Sequence, residues 1–305
     1  MADAERKGGR SGVAMLFVTG LVAGSVVAIA GVQAYDAFGK DEPPTAMPAP
    51  HFVEEAAAAG IEHVYDGDFT FFVGGGVAAF DCSDDGKPDL YLAGGTNLAA
   101  LYRNESTVGG ELRFEQVTDP ATDLTDVVGA YPIDIDGDGI LDLAVLRVGE
   151  NVLLRGLGDC RFERANEAWG FDGGDEWTVG FSATWEGAAA MPTLAIGNYL
   201  DLTDIQQRAT CADSQLVRPG ADGTAYAAPT PLTPGWCTLS VLFSDWSRTG
   251  ARDLRMTNDR HYYTDGQEQL WHIEEGRPPR MYTAEEGWQR LVIWGMGIAE
   301  YDLTR

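Results

Sequence analysis

Basic residues are scarce in this 305-residue sequence. Lys and Arg number 21 against 47 Asp and Glu, which gives a formal net charge of −26. A field of that sign repels nucleic acid and anionic lipid and attracts cations. Acidic composition also occurs in disordered chains, but 45% hydrophobic and 10% aromatic residues are enough to bury a core. The sequence therefore predicts a folded protein that has no nucleic-acid partner.

Catalytic signatures are also lacking. The sequence contains no Gly-rich phosphate loop, no H-E-x-x-H, no G-x-S-x-G and no CxxC pair. The four histidines are scattered along the chain at His51, His63, His261 and His272. A site role for His261, beside Asp259 and Arg260, is possible, but a structural hydrogen-bonding role is favoured. These absences favour a binding protein over an enzyme.

Charge is absent from residues 11–35, a 25-residue stretch that follows three basic residues in residues 1–10. A stretch of that length can span a bilayer, and the basic flank places residues 1–10 in the cytoplasm and the rest of the chain outside. We expect a transmembrane signal-anchor at 11–35. A cleaved signal peptide is the alternative, because Val32-Gln33-Ala34 resembles a small-residue cleavage site.

Residues 36–50 contain four prolines and are typical of a semi-rigid linker. The folded region is expected at 51–305. It contains four cysteines, Cys82, Cys160, Cys211 and Cys237, which allow three pairings. A disulfide between Cys211 and Cys237 is preferred, because these residues bracket a long irregular stretch whose chain entropy a covalent link would limit. For Cys82 and Cys160, free buried thiols are the alternative.

An internal repeat organises the folded region. The pattern D-x-[DS]-x-D-G-x-x-D-L occurs at 81–90 and 134–143, and a third copy at 245–254 has hydroxyl groups in place of two carboxylates. A copy at 185–194 has lost its acids and should not bind metal, and a fifth begins at Asp302. The period of about 50–60 residues fits a four-stranded propeller blade. We therefore predict an all-β protein, a β-propeller with about four blades and part of a fifth.

The first strand of the folded region is expected at Phe52-Val53-Glu54, which has the composition of a blade's final strand. A final strand at the start of the domain would complete the last blade of a closed ring and cover its edge.

Calcium is the expected cofactor. Oxygen ligands at loop positions 1, 3, 5 and 9 and a carbonyl at position 7 would converge on one point, and Gly at position 6 permits the sharp turn. The predicted ligands are Asp81, Ser83, Asp85, Lys87 and Asp89; Asp134, Asp136, Asp138, Ile140 and Asp142; and Asp245, Ser247, Thr249, Ala251 and Asp253. Ligand charges of −3, −4 and −2 rank the second loop as the tightest.

Two alternatives use similar loops. An EF-hand requires Glu at position 12, where this sequence has Leu92 and Val145, so that alternative is disfavoured. Acidic turns without any ion are the other alternative, since Asp and Gly are ordinary turn residues.

These loops resemble the FG-GAP/VCBS repeats of integrin α-subunit propellers, and more closely bacterial relatives of the cartilage acidic protein family. The segments 237–246, 258–263 and 295–298 also look like that bacterial group. The resemblance implies a seven-bladed propeller, calcium in the loops and an extracellular setting, with the molecular activity of the family mostly unassigned. Seven blades require more chain than follows residue 50, so a truncated chain is expected.

Two functions follow as expectations. The first is a non-catalytic calcium-binding scaffold outside the cytoplasm, which binds an extracellular protein or glycan and is anchored to the membrane, or is secreted if residues 11–35 are cleaved. The second is a propeller enzyme that acts on extracellular polysaccharide. Its support is the insert at 205–236 and the eight tryptophans from Trp169 onward, although core packing is the favoured role for those tryptophans.

Overall fold

The computed structural model describes residues 49–206, 210–259 and 266–301. The proposed membrane segment at 11–35, His261 and the start of the fifth repeat at Asp302 lie outside these residues. Within them, no helix has the length and apolar character that crossing a membrane requires. The chain divides into a unit Met1–Glu54 and a unit Glu55–Arg305, and the architecture below belongs to the second.

Sixteen strands of the described residues form four antiparallel sheets, each with its four strands in chain order. Sheet 1 contains β1 (Val77–Phe80), β2 (Asp89–Leu92), β3 (Ala100–Asn104) and β4 (Phe114–Val117). Sheet 2 contains β5 (Val127–Ile133), β6 (Asp142–Arg147), β7 (Val152–Gly156) and β8 (Phe162–Arg164). Sheet 3 contains β9 (Thr178–Thr184), β10 (Thr193–Asn198), β11 (Ser214–Val217) and β12 (Thr230–Leu232). Sheet 4 contains β13 (Thr238–Ser244), β14 (Asp253–Asn258), β15 (Gln269–His272) and β16 (Arg280–Met281).

The described residues also form three short 3-10 helices, at Phe69–Phe71 before β1, at Leu202–Asp204 between β10 and β11, and at Ala284–Glu286 after β16. The all-β class and the four-stranded repeat unit are therefore confirmed. No closed ring of sheets is found among the described residues. The strand expected at Phe52–Glu54 is wrong: those residues form no strand, and the side chains of Phe52 and Val53 are exposed. Their composition resembles that of a strand, but they belong to none of the four sheets.

Successive sheets pack face to face through their first strands: β1 contacts β5, β5 contacts β9, and β9 contacts β13. Apolar side chains fill each of these interfaces. Leu101 and Leu143 belong to the cluster between sheets 1 and 2, and Leu254 and Trp271 to the cluster that joins sheets 3 and 4. Because both faces of an inner sheet are covered, a central strand such as β6 contains a continuous apolar run, here residues 143–146. Trp169, Trp177 and Trp271 are buried, as core packing requires, whereas Trp185, Trp246 and Trp294 are exposed, so the core-packing prediction holds for only some of the tryptophans.

Two disulfides link neighbouring sheets. Cys82, between β1 and β2, is bonded to Cys160, between β7 and β8 of the next sheet. Cys211, between β10 and β11, is bonded to Cys237, which directly precedes β13. All four cysteines are thus disulfide-bonded, and Cys82 and Cys160 are not free thiols.

A chain of buried polar side chains also crosses from sheet 2 to sheet 4. Each member hydrogen bonds to the next, at distances between 2.7 and 3.2 Å, through side chains at every link except one, where the Asn198 backbone N–H donates to the Ser214 hydroxyl. The members are Asn151, Thr178, Asn198, Ser214, Thr238, Asn258 and Gln269. Buried polar groups are costly unless they are paired, so this chain favours one relative placement of the three sheets.

Glu268 is a buried carboxylate at the end of this chain, 4% exposed. Its Oε2 accepts a hydrogen bond from the Asn258 backbone N–H at 2.8 Å, and its Oε1 accepts one from the Gly295 N–H at 3.2 Å. A Cβ at position 295 would lie 2.4 Å from the same Oε1, so only glycine fits there. Burial raises the pKa of Glu268 to about 7, although the two N–H donors and Arg255 act in the opposite direction.

We predict that Glu268→Gln flattens the pH dependence of stability. The pKa of Glu268 is 4.5 in the unfolded chain and about 7 in the folded protein. At a pH between these two values, the carboxyl has lost its proton in the unfolded chain and keeps it in the folded protein. The free energy of unfolding therefore falls as the pH rises through this window, by about 3 kcal/mol in total. Urea unfolding at pH 4.5 and pH 7.5 should show the wild type losing stability relative to the variant. Glu111→Gln, at an exposed position, is the control, and a constant difference between wild type and Glu268→Gln would contradict the prediction.

Candidate metal centre

The repeated loops all occupy the same place in their sheets, between the first and second strands. We call residues 81–89 loop 1, residues 134–142 loop 2 and residues 245–253 loop 3. In each, position 9 is the first residue of the second strand. The degenerate copy keeps this length, because β9 ends at Thr184 and β10 begins at Thr193.

Loop 2 brings three carboxylates together. Asp134, Asp136 and Asp138 each offer one oxygen, and the three oxygens lie within 4.8 Å of one another. The turn that places them depends on Gly139 at position 6, whose φ of 87° lies in the left-handed region. The Gly139 N–H donates to Asp134 Oδ2 at 3.0 Å, so the first carboxylate also caps the turn.

The aspartate at position 9 makes backbone contacts that the sequence did not predict. Asp142 is fully buried, and its two oxygens accept backbone hydrogen bonds from Ile135 at 2.7 Å and from Gly156 at 2.8 Å. Asp89 is equally buried in loop 1 and accepts from Cys82 and, at the end of β3, from Asn104. These carboxylates fasten the loop to the third strand of the sheet, and Asp142 stands apart from the cluster of three.

The electrostatic surroundings of Asp142 reflect this burial. Desolvation raises the pKa of its carboxyl to about 6, while the Gly156 and Ile135 N–H groups lower it. The negative charges of Asp136 and Asp138 raise it further. The remaining predicted ligand of the loop is the backbone carbonyl of Ile140, whose own N–H donates to Asp138 Oδ1 at 2.9 Å.

Loop 1 contains a positively charged side chain, Lys87. Asp81 accepts hydrogen bonds from the Asp85 and Gly86 N–H groups, and the Ser83 hydroxyl donates to it at 3.4 Å. The Lys87 Nζ lies 2.8 Å from Asp85 Oδ2. The backbone carbonyl of Lys87 stays a predicted ligand, and its side chain neutralises the neighbouring predicted ligand Asp85.

In loop 3, backbone N–H groups and hydroxyl groups form the turn. Asp245 accepts from the Thr249 and Gly250 N–H groups, and the hydroxyls of Ser247 and Thr249 are 2.8 Å apart. Ala251, whose carbonyl is the predicted fifth ligand of the loop, is exposed.

The position-9 residue of loop 3, Asp253, is bound by two aromatic side chains. Its Oδ2 accepts hydrogen bonds from Trp246 Nε1 at 3.0 Å and from the Tyr282 hydroxyl at 2.6 Å. In loops 1 and 2 backbone N–H groups make the equivalent contacts, so loop 3 differs in construction as well as in charge.

The degenerate copy pairs its one acidic side chain with an arginine. Arg218 contacts both oxygens of Glu186, at 2.7 and 3.0 Å, and the Thr193 hydroxyl donates to the same carboxylate at 2.6 Å. A second group of potential ligands, Cys82, Asp89 and Cys160, lies close together, but its two sulfurs form a disulfide and are not thiolates.

Arg155 is a site residue that the sequence reasoning missed. It lies in β7, and its Nε is 2.7 Å from Asp136 Oδ2, while a terminal nitrogen donates to Asp138 Oδ2 at 3.1 Å. The recurrence of Leu101-Tyr102-Arg103 as Leu153-Leu154-Arg155 after successive loops was the signal that could have identified it.

A cleft of about 310 Å³ lies on sheet 4 beside loop 3. Its walls include Trp246, Arg255, Tyr282, Glu286 and Trp288. The Arg255 guanidinium lies over the Trp288 ring, 5.8 Å from its centre. His272 stacks on Tyr282 and lies 3.1 Å from Glu286, so this histidine belongs to a local hydrogen-bonded cluster.

Four-stranded antiparallel sheets that repeat along the chain, each with an acidic loop after its first strand, define the class as an all-β repeat protein. The family model of the FG-GAP-like repeat matches residues 81–145, which include both loop 1 and loop 2. The chain therefore contains an FG-GAP-like repeat. No curated protein matches the chain. The narrower resemblance to bacterial relatives of the cartilage acidic protein family stays an expectation.

We predict that Asp142→Ala destabilises the fold even when no metal ion is present. The substitution leaves the buried N–H groups of Ile135 and Gly156 without acceptors, which costs about 2–4 kcal/mol of unfolding free energy. Asp136→Ala is the matched control from the same loop, and it should cost less than about 1 kcal/mol because Asp136 is partly exposed. Urea unfolding in EDTA measures both. Equal losses for the two variants would show that Asp142 is not a structural clamp.

Proposed function

We propose that this protein is a non-catalytic calcium-binding scaffold that is displayed outside the cytoplasm and binds an extracellular protein or glycan. In this proposal its four sheets are successive blades of a β-propeller. The observation that carries it is the cluster of Asp134, Asp136 and Asp138 oxygens within a segment that matches the FG-GAP-like repeat.

The donor set of loop 2 fits calcium. Calcium prefers hard oxygen ligands, and carboxylates supply them together with negative charge. Three carboxylates within 4.8 Å of one another repel each other, so a divalent cation stabilises the arrangement. Asp134, Asp136 and Asp138 would hold the ion.

The three loops are expected to differ in affinity. Loop 2 offers the most carboxylate oxygens and ranks first. Lys87 neutralises part of loop 1, which therefore ranks second. Loop 3 ranks last, because Ser247 and Thr249 carry no charge and Asp253 is bound to Trp246 and Tyr282.

An extracytoplasmic location is supported by covalent chemistry as well as by the sequence. Two disulfides join all four cysteines, and disulfides persist in oxidising compartments and are rare in the cytosol. The uncharged segment at 11–35 would export the chain and either anchor it to the membrane or be removed, and this part of the proposal rests on sequence alone.

Calorimetric titration of the full chain with calcium tests the metal-binding proposal. We expect binding heat, and an increase in the melting temperature equivalent to about 2.7 kcal/mol of stabilisation at calcium concentrations one hundred times Kd. Asp136→Ala combined with Asp138→Ala should remove the tightest binding step, since it deletes two of the three clustered carboxylates.

Asp245→Ala in loop 3 is the matched control, and it should leave the tightest step unchanged. Absence of both binding heat and a melting shift in the wild type would overturn the proposal.

A second candidate function, saccharide binding, is favoured by the cleft on sheet 4. Its wall presents the half-exposed ring of Trp246 beside Tyr282, Trp288 and the Arg255 guanidinium. Aromatic rings stack on the apolar faces of sugars, and Arg and Gln side chains bind their hydroxyls. A polysaccharide-cleaving enzyme is the catalytic form of this candidate.

A glycan array and a hydrolysis and lyase screen separate these alternatives. Trp246→Ala should reduce glycan binding at least tenfold if the cleft is the site, whereas Trp185→Ala, at an exposed position in the degenerate copy, should have no effect. Turnover of a polysaccharide that is abolished by substituting one carboxylate outside the loops would favour the enzyme. Glycan binding that Trp246→Ala does not alter would exclude this cleft.

A further inference from the structure

We propose that Arg155 is an internal cation that competes with calcium for loop 2 and thereby sets the calcium affinity of that loop. The inference rests on the proposed function, since it assigns a role to a residue within the same site.

The contacts of Arg155 identify the oxygens that it occupies. Its guanidinium reaches Oδ2 of both Asp136 and Asp138, at 2.7 and 3.1 Å. The other oxygen of each carboxylate accepts a loop N–H: Asp136 Oδ1 from Asp138, and Asp138 Oδ1 from Ile140. In each of these two carboxylates, a backbone N–H therefore binds Oδ1. Arg155 binds Oδ2, the oxygen that would otherwise be available to a metal ion.

The fold positions Arg155 for this contact. The next residue, Gly156, donates its N–H to the buried Asp142, which fixes the end of β7 against loop 2. A Cβ at position 156 would lie 2.3 Å from the Leu141 carbonyl oxygen, so glycine is required for this close approach. The side chain of Arg155 is 39% exposed, which leaves it a path into solvent.

Arg155 then has opposite effects on the two states of the loop. Without calcium, its charge offsets the repulsion among the three carboxylates. With calcium, two of those carboxylates must first release the guanidinium, so part of the binding free energy is spent on breaking two partly exposed ion pairs. Pairs of this kind are individually weak, and losing two of them corresponds to roughly a tenfold reduction in calcium affinity.

Sheet 1 supplies a matched residue without this contact. Arg103 has the equivalent place in β3, one residue before the Asn104 N–H that Asp89 accepts. Its guanidinium contacts Asp159 at 2.7 Å and Glu105 at 3.3 Å. Ser83 stands in loop 1 where Asp136 stands in loop 2, and both of these ion pairs of Arg103 are with residues outside loop 1.

Calcium titration of the full-length wild type, Arg155→Met, Arg155→Lys and Arg103→Met tests the proposal. Met keeps the apolar stem and removes the charge, so Arg155→Met should tighten the loop 2 step roughly tenfold. Arg155→Lys keeps the charge but cannot contact both carboxylates at once. Its calcium affinity at loop 2 should therefore lie between those of the wild type and Arg155→Met. Arg103→Met should stay within twofold of wild type at this step.

A second readout is the melting temperature in EDTA and in saturating calcium. Arg155→Met should melt below the wild type in EDTA and gain more from calcium. If the wild type binds calcium and Arg155→Met binds it equally or more weakly, the proposed role of Arg155 is overturned, and the proposed function is not. Absence of binding in every protein would overturn the proposed function with it, whereas binding by Arg155→Met and not by the wild type would support the competition.

Discussion

The arrangement of loops 1 and 2 depends on one interaction, the acceptance of backbone N–H groups by a buried carboxylate at position 9. In sheet 2, Asp142 ties the start of loop 2 to the end of β7. In sheet 1, Asp89 does the same between loop 1 and β3. Burying a carboxylate is unfavourable, and the raised pKa of Asp142 expresses that cost. The N–H donors offset it and fix the loop against strands that hydrophobic packing alone would leave free to slide.

This clamp divides one motif into two kinds of aspartate. The outer side of loop 2 gathers Asp134, Asp136 and Asp138, with one oxygen of each within 4.8 Å of the others. The buried side uses Asp142 as part of the backbone scaffold. Identical residue types thus have unlike roles, because one set faces solvent and the other faces a strand end. Loop 3 shows how far the scheme can vary, since Trp246 and Tyr282 replace the backbone donors.

The repeat, the four-stranded unit and the loop boundaries could be predicted from the sequence, because they depend on local spacing and on short apolar runs between Gly and Asp. The structural role of Asp142, the pairing of Cys82 with Cys160 and the contact of Arg155 with loop 2 could not. Each depends on how a loop meets another strand or another sheet, and spacing within one copy contains no such information. The strand expected at Phe52–Glu54 failed for a related reason: composition resembled a strand, but pairing requires a neighbour.

The cross-sheet bonds have a consequence for how such a protein can change its number of repeats. A solenoid can gain or lose a unit because each unit contacts its neighbours through equivalent surfaces. Here, deletion of sheet 2 would leave Cys82 without its partner, and deletion of sheet 3 would interrupt the polar chain between Asn151 and Asn258. The sheets share one topology but are not interchangeable, because each inner sheet makes bonds that depend on the identity of its neighbour.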